Sequence, residues 1–192
     1  GLSGRVYKAM RKDIESGFEQ AVAIKILKSK NIEQGWQQEY LSLAQIRSDN
    51  CVSVLSWERF EGQPALVMEC IHGVNLGILI QNQVLSQKEI HYMTQEIHKG
   101  LRDLQQGGLA HGDLSLKNIM VTREGQVKLI DFGLSNYGGQ EVKATPLYKA
   151  PEVSAAIRPS YFSDLYSLGV IIKKMGGHKK DYSQLLLEDP KK

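Results

Sequence analysis

The sequence predicts an α+β chain in two parts, a β-rich first third with one helix and a mainly helical remainder. Two hairpin-like stretches and one capping signal carry that prediction. Residues 5–10 and 21–27 are β-rich runs joined by a polar turn around Ser16-Gly17. Residues 52–60 and 65–71 form a second pair, broken at Gly62-Gln63-Pro64. After Gly73 the texture turns helical, and Ser86 with Glu89 three residues later is a capping box opening a helix to about residue 106.

The remaining elements follow in order. Residues 33–47 carry Trp36, Tyr40, Leu43 and Ile46 at helical spacing, the one helix of the first third. Short strands are expected at 119–122 and 126–130, turning at Glu124-Gly125, then a loop to Glu152 and an apolar helix over 162–175. We find no repeat and no low-complexity tract.

Composition narrows the function classes. The 192 residues are 42% hydrophobic and 23% charged, an ordinary globular mixture. A net charge of +3 is too small to argue for nucleic acid or an anionic membrane as partner, and the scattered lysines read as solvated surface. No apolar run approaches the ~20 residues of a membrane span. Cys51 and Cys70 lie in apolar segments, so buried reduced thiols are expected rather than a disulfide, which points to the cytoplasm, with the nucleus as the other reducing compartment.

Chemistry concentrates in two short segments. Asp113 and Asn118 lie in His111-Gly112-Asp113-Leu114-Ser115-Leu116-Lys117-Asn118, and Asp131 opens Asp131-Phe132-Gly133. The hairpin expected between them can bring the groups side by side. Amide and carboxylate oxygens suit a hard cation such as magnesium, and a further carboxylate could orient a hydroxyl and accept its proton. Either motif alone arises by chance, since an isolated Asp most often caps a turn; both at this spacing rarely do.

With these residues in view, the chain resembles the eukaryotic-type protein kinase family. The resemblance runs along the whole chain and implies one kinase domain over 1–192, with a small lobe to about residue 69, a hinge near 69–73 and a large lobe beyond. It implies that Lys25 of Val22-Ala23-Ile24-Lys25 holds the α- and β-phosphates of ATP, oriented by Glu39. Gly1 and Gly4 resemble the second half of a glycine-rich phosphate loop, with Val6 and Ala23 against the base. Residues 66–71 resemble the hinge, with Met68 as gatekeeper and the backbones of Glu69 and Ile71 holding adenine; Asn75 matches a ribose contact. By the same resemblance Asp113 orients the acceptor hydroxyl, Asn118 and Asp131 hold Mg2+, Thr145 bonds Asp113, and Asp164 braces the catalytic-loop backbone. Leu43, His111 and Phe132 match the hydrophobic spine, which makes His111 structural; His72, His91, His98 and His178 read as surface or helix residues. The implied function is transfer of the ATP γ-phosphate to a protein hydroxyl.

The departures are informative. Gly112 replaces the arginine that receives an activation-loop phosphate, so activity is expected not to depend on such a phosphate and control is expected from a regulatory protein partner or outside segments. Ser115 stands where serine/threonine kinases carry lysine, and Lys117 where tyrosine kinases carry arginine. Against this, Thr145-Pro146-Leu147-Tyr148-Lys149-Ala150-Pro151-Glu152 follows the serine/threonine pattern. The stretch after Met175 is short for the end of a large lobe, and residues 185–190 resemble a later helix reached after a deletion. Small-molecule and atypical phosphotransferases share the His-Gly-Asp motif but generally lack the Ala150-Pro151-Glu152 segment. A non-catalytic scaffold would have no need of Lys25, Glu39, Asp113, Asn118 and Asp131 together.

Overall fold

The computed structural model describes residues 5–12, 15, 17–26, 43–132, 145–153 and 159–176. Strands β1 (Arg5–Lys12), β2 (Glu19–Ile26), β3 (Val54–Phe60) and β4 (Gln63–Glu69) form one antiparallel sheet in the order β1-β2-β4-β3. The β1–β2 connection includes Gly17 at φ +70, a left-handed value suited to glycine. The β3–β4 turn lies one residue earlier than expected. Glu61 and Gly62 take it at φ +50 and +76, the two positive values of a tight hairpin turn, and Pro64 sits inside β4. Pro64 pairs with Arg59 in the β3–β4 ladder, and the described β2 pairing reaches Ala65.

A three-residue strand, β5 (Gly73–Asn75), precedes helix α1 (Leu76–Asn82), an element the sequence pattern does not resolve. It joins β6 (Ile119–Thr122) and β7 (Val127–Leu129) in a second sheet ordered β5-β6-β7. Helix α2 (Gln87–Gln106) has the expected capping box, with Ser86 and Glu89 bonding reciprocally. Helix α3 (Tyr161–Lys174) starts one residue before its expected position, capped by Ser160 and Ser163. Of the helix expected over 33–47, residues 43–45 are helical, Leu43 is buried, and residues 33–42 lie outside the described ones.

Buried Leu66, Met68, Ile97, Leu101, Leu104, Leu129 and Leu168 belong to one core that runs beneath both sheets and between α2 and α3. Residues 48–53 rivet the small sheet's root to the larger part. The Asn50 amide donates to Glu96 (2.9 Å) and to the Val127 carbonyl (3.0 Å), Val52 N–H to Leu129 O (2.9 Å), and Leu129 N–H to Asn50 O (2.8 Å). Gly100 makes this approach feasible, because a Cβ there would lie 3.0 Å from Asn50 O and 2.9 Å from a Leu129 methyl. The β7 strand is thereby fixed two residues before Asp131.

Candidate active site

The β2 strand places its residues by simple alternation. Ala23 and Lys25 share a face, and cross-strand pairing sets Val6 and Leu66 beside Lys25, with Lys8 and Met68 beside Ala23. Val6 is exposed directly across from Lys25, consistent with a residue at the mouth of a cleft. Lys25 is buried at 1% exposure, and a buried ammonium requires a counter-charge. The described partner is Asp131, whose Oδ1 accepts from Nζ at 2.9 Å. Glu39, the expected partner, lies outside the described residues with Gly1 and Gly4. Leu43, Val52, Met68 and Phe132 line the apolar pocket around this pair.

The hairpin of β6 and β7 brings Asn118 and Asp131 together, as expected. Ile130 N–H donates to the Asn118 carbonyl at 3.0 Å, one residue before Asp131. Asp131 has φ +61, a left-handed conformation that Asp tolerates better than most residues and that recurs at functional sites. Its second carboxylate oxygen and the Asn118 side-chain oxygen are hard donors, fitted to a cation that takes one or two protein ligands and completes its shell with phosphate and water.

Asp113 is the most completely constrained of the acidic groups. Its Oδ1 accepts from both the backbone N–H (2.8 Å) and the hydroxyl (2.9 Å) of Thr145. The Asn118 amide donates to the Asp113 carbonyl oxygen at 2.8 Å and lies 3.4 Å from Oδ2. The loop is anchored from below by Asp164 on α3, which accepts from His111 N–H (2.7 Å) and Gly112 N–H (3.0 Å). Burial pushes the Asp164 carboxyl up to about 6 against the lowering effect of those two N–H groups. Gly112 is itself buried at φ +79.

His111 is fully buried and packs edge-on against Phe132 (6.1 Å between ring centres), while Leu43 lines the same pocket as Phe132. Burial drives its imidazole down to about 4, so it is neutral near pH 7, as a structural role expects. Lys117 is exposed four residues after Asp113, and Ser115 is buried.

One expectation, the burial of Cys70, needs correction, and Asn75 and His98 carry roles that the sequence does not announce. Asn75 caps α1, its Oδ1 accepting from Ile78 N–H at 2.9 Å, and its amide NH2 stays available to a ribose. Cys70 is partly exposed, because it follows the last paired residue of β4; Cys51 is buried, and both thiols are free. His98 is buried and bonds the Tyr161 hydroxyl at 2.7 Å across α2 and α3, a helix-packing role that spacing alone does not show.

Sequence reasoning also missed a group at the hinge. The Glu69 carboxylate accepts from Lys128 Nζ (2.7 Å) and Ser53 N–H (2.8 Å), while Glu69 N–H donates to Ser53 O (3.0 Å). The available signal was a lone charge, Lys128, inside the buried strand Val127–Leu129.

Comparison with known proteins now has a geometry to stand on. Residues 1–185 match the protein kinase domain. The chain belongs to that family. Among curated relatives it is 30% identical over 186 residues to the serine/threonine-protein kinase SMU1 of Mycosarcoma maydis and to shk1/pak1 of Schizosaccharomyces pombe. It is 31% identical over 191 residues to the probable serine/threonine-protein kinase pknA2 of Bifidobacterium longum. Each alignment covers 91% of this chain but 24%, 27% and 25% of those relatives, so the chain spans about a quarter of their length. The PknI kinase domain of Mycobacterium tuberculosis superposes with a TM-score of 0.72 over 91% of this chain and 69% of that one, at 23% identity. The protein kinase fold, with a β-rich small lobe and a helical large lobe, is therefore established.

Proposed function

We propose that this protein kinase domain transfers the γ-phosphate of ATP to serine or threonine hydroxyls of a protein substrate. The observation that carries the reading is the fixed Asp113 carboxylate, held by Thr145 and Asn118 on the strand–loop frame that also presents Asp131 to Lys25. In this reading Lys25 holds the α- and β-phosphates after exchanging Asp131 for them, oriented by Glu39, with Gly1 and Gly4 over the phosphates. Val6, Ala23 and Met68 surround the base, and the Glu69 and Ile71 backbones bond its edge. Asn118 and Asp131 are the ligands for Mg2+, which when bound neutralises charge on the transferring phosphoryl group. Asp113 keeps one carboxylate oxygen on Thr145 and uses the other to orient the acceptor hydroxyl and take its proton. Lys117, exposed beside this loop, supplies positive charge that Ser115 cannot. The serine/threonine preference is supported by the names of the relatives and by Thr145 on Asp113. Two free cysteines fit a reducing compartment, the cytoplasm or nucleus, and a regulatory partner protein is the expected source of control.

The test is transfer to a peptide library with labelled ATP. Asp113→Asn should lower kcat by at least ~10²-fold, the lower end of general-base contributions, with ATP still bound. Lys25→Met or Asp131→Ala should abolish transfer. Near-normal turnover in Asp113→Asn would overturn the mechanism, and predominant phosphotyrosine would overturn the acceptor assignment.

A further inference from the structure

Tyr148 gathers positive charge on the acceptor side of the site. Its backbone oxygen accepts the Ser167 hydroxyl of α3 at 2.7 Å, and its N–H donates to Thr145 O at 2.9 Å. Its hydroxyl lies close to the backbone of Leu116, the residue before Lys117. Lys174, in the last turn of α3, places Nζ 5.7 Å from the centre of the Tyr148 ring, within cation–π range. Lys149 follows Tyr148 directly. Lys174 is thus held against Tyr148, whose N–H lies two contacts from the Asp113 carboxylate, and Lys117 and Lys149 lie next in sequence to Leu116 and Tyr148.

The acidic groups around this knot do not cancel it. Asp113 has Oδ1 on Thr145, and Asp164 is buried against backbone N–H groups. Among the described residues of the 145–153 wall, Glu152 is the one acid, against exposed Lys117 and Lys174 and half-buried Lys149. A lysine over a neutral ring engages one face of its ammonium and keeps donors for a ligand, so Lys174 can pack and still present charge.

We propose that this lysine rim selects acceptor sequences with acidic residues flanking the serine or threonine, with Lys174 as a specificity-determining residue. The proposal rests on the protein-kinase reading above and names its substrate class. An acidic segment meets complementary charge on this rim, and a basic one meets repulsion. Each exposed pair contributes a factor of about two to five, so three together give roughly tenfold or more at low salt.

The experiment compares two serine peptides that differ only in three flanking Glu or three flanking Lys, using kcat/KM and the fluorescence anisotropy of the labelled peptides. The acidic peptide should win by tenfold or more at low salt, and 0.5 M NaCl should erode the advantage, because the charges are exposed. Lys174→Glu should shift the preference toward the basic peptide by at least fivefold, Lys174→Arg should retain it, and ATP KM should stay constant in both. Should Lys174→Glu fail to fold, the salt series on wild type and Lys149→Glu make the same test. Equal or better use of the basic peptide by wild type would overturn the proposal while the protein-kinase reading stands. Loss of transfer to both peptides, with no difference in their anisotropy, would overturn both.

Discussion

The two sides of the cleft are held in different ways. On the side proposed for catalysis, Asp113, His111, Gly112 and Asn118 are fixed by hydrogen bonds to Thr145, Asp164 and one another. On the side proposed for the nucleotide, β1 is exposed at every position but Ala9, and among the described residues Lys25 is held by its ion pair with Asp131. The hinge sits between these regimes, with Glu69 clasped by Lys128 and Ser53. Groups that meet charge in the transition state gain from geometry set in advance, whereas a nucleotide that enters and leaves needs a wall that can give.

Removing the brace tests that contrast most severely. Asp164→Ala leaves the His111 and Gly112 N–H groups buried without a partner, at about 1–3 kcal/mol each. It should lower kcat by about 10²-fold, the scale for a reacting group displaced by ~1 Å, while ATP KM changes little. Steady-state kinetics with thermal unfolding separates the two effects, and a large rise in ATP KM with intact kcat would reverse the assignment of rigidity. The same carboxyl gives the comparison a pH axis. With its folded value near 6 and an ordinary value of 3.8, protonation is favoured by the folded state. Acidification through 6 therefore weakens the anchor's charge, and kcat should fall. Stability should not fall through this group, because the proton binds the folded chain more tightly than the unfolded one. A kcat–pH profile beside urea unfolding at pH 5 and 7 checks both signs.

A smaller effect is expected at the hinge. Lys128→Met leaves Glu69 with the Ser53 N–H and removes the charged donor, which for a partly exposed pair is worth about 1 kcal/mol. ATP KM should rise about fivefold with kcat within twofold, and Lys128→Arg should recover most of the loss. A drop confined to kcat would place Lys128 with the catalytic side instead.

Much of this arrangement was legible in the residues. The capping box at Ser86 and Glu89 set the start of α2, and the strand pattern on either side of Glu124-Gly125 predicts the β6–β7 hairpin that the structure contains. Local rules suffice there, because each signal lies within a few residues of what it controls. The misses share the opposite property. Asn50 with Glu96, Lys128 with Glu69, and Tyr148 with Lys174 are separated by 46, 59 and 26 positions, and nothing in the period of either segment announces the partner. Asn75 illustrates a second limit: one residue type serves equally as a helix cap or a ligand contact, and only the following helix shows the cap.

The smallest expected effect concerns Gly112. In kinases that the chain resembles, this position carries an arginine that receives a loop phosphate, and such charge-assisted pairs order the loop. Here the position offers no charge. It is buried, its N–H is committed to Asp164 at 3.0 Å, and its φ of +79 suits glycine better than any side chain. The bonds that anchor this loop through Asp164 involve no phosphate. Phosphatase treatment should leave the initial rate unchanged within about twofold, since the bonds on Asp113 and Asp164 involve no phosphate. The candidate acceptors Ser135 and Tyr137, with Lys143 as substitute receiver, lie outside the described residues, so the rate measurement decides. A tenfold loss restored by rephosphorylating Ser135 or Tyr137 would show that another cation has taken the arginine's place. Gly112→Arg sharpens the result: the side chain must enter a buried, left-handed position, so it should lower the melting temperature without creating phosphate dependence.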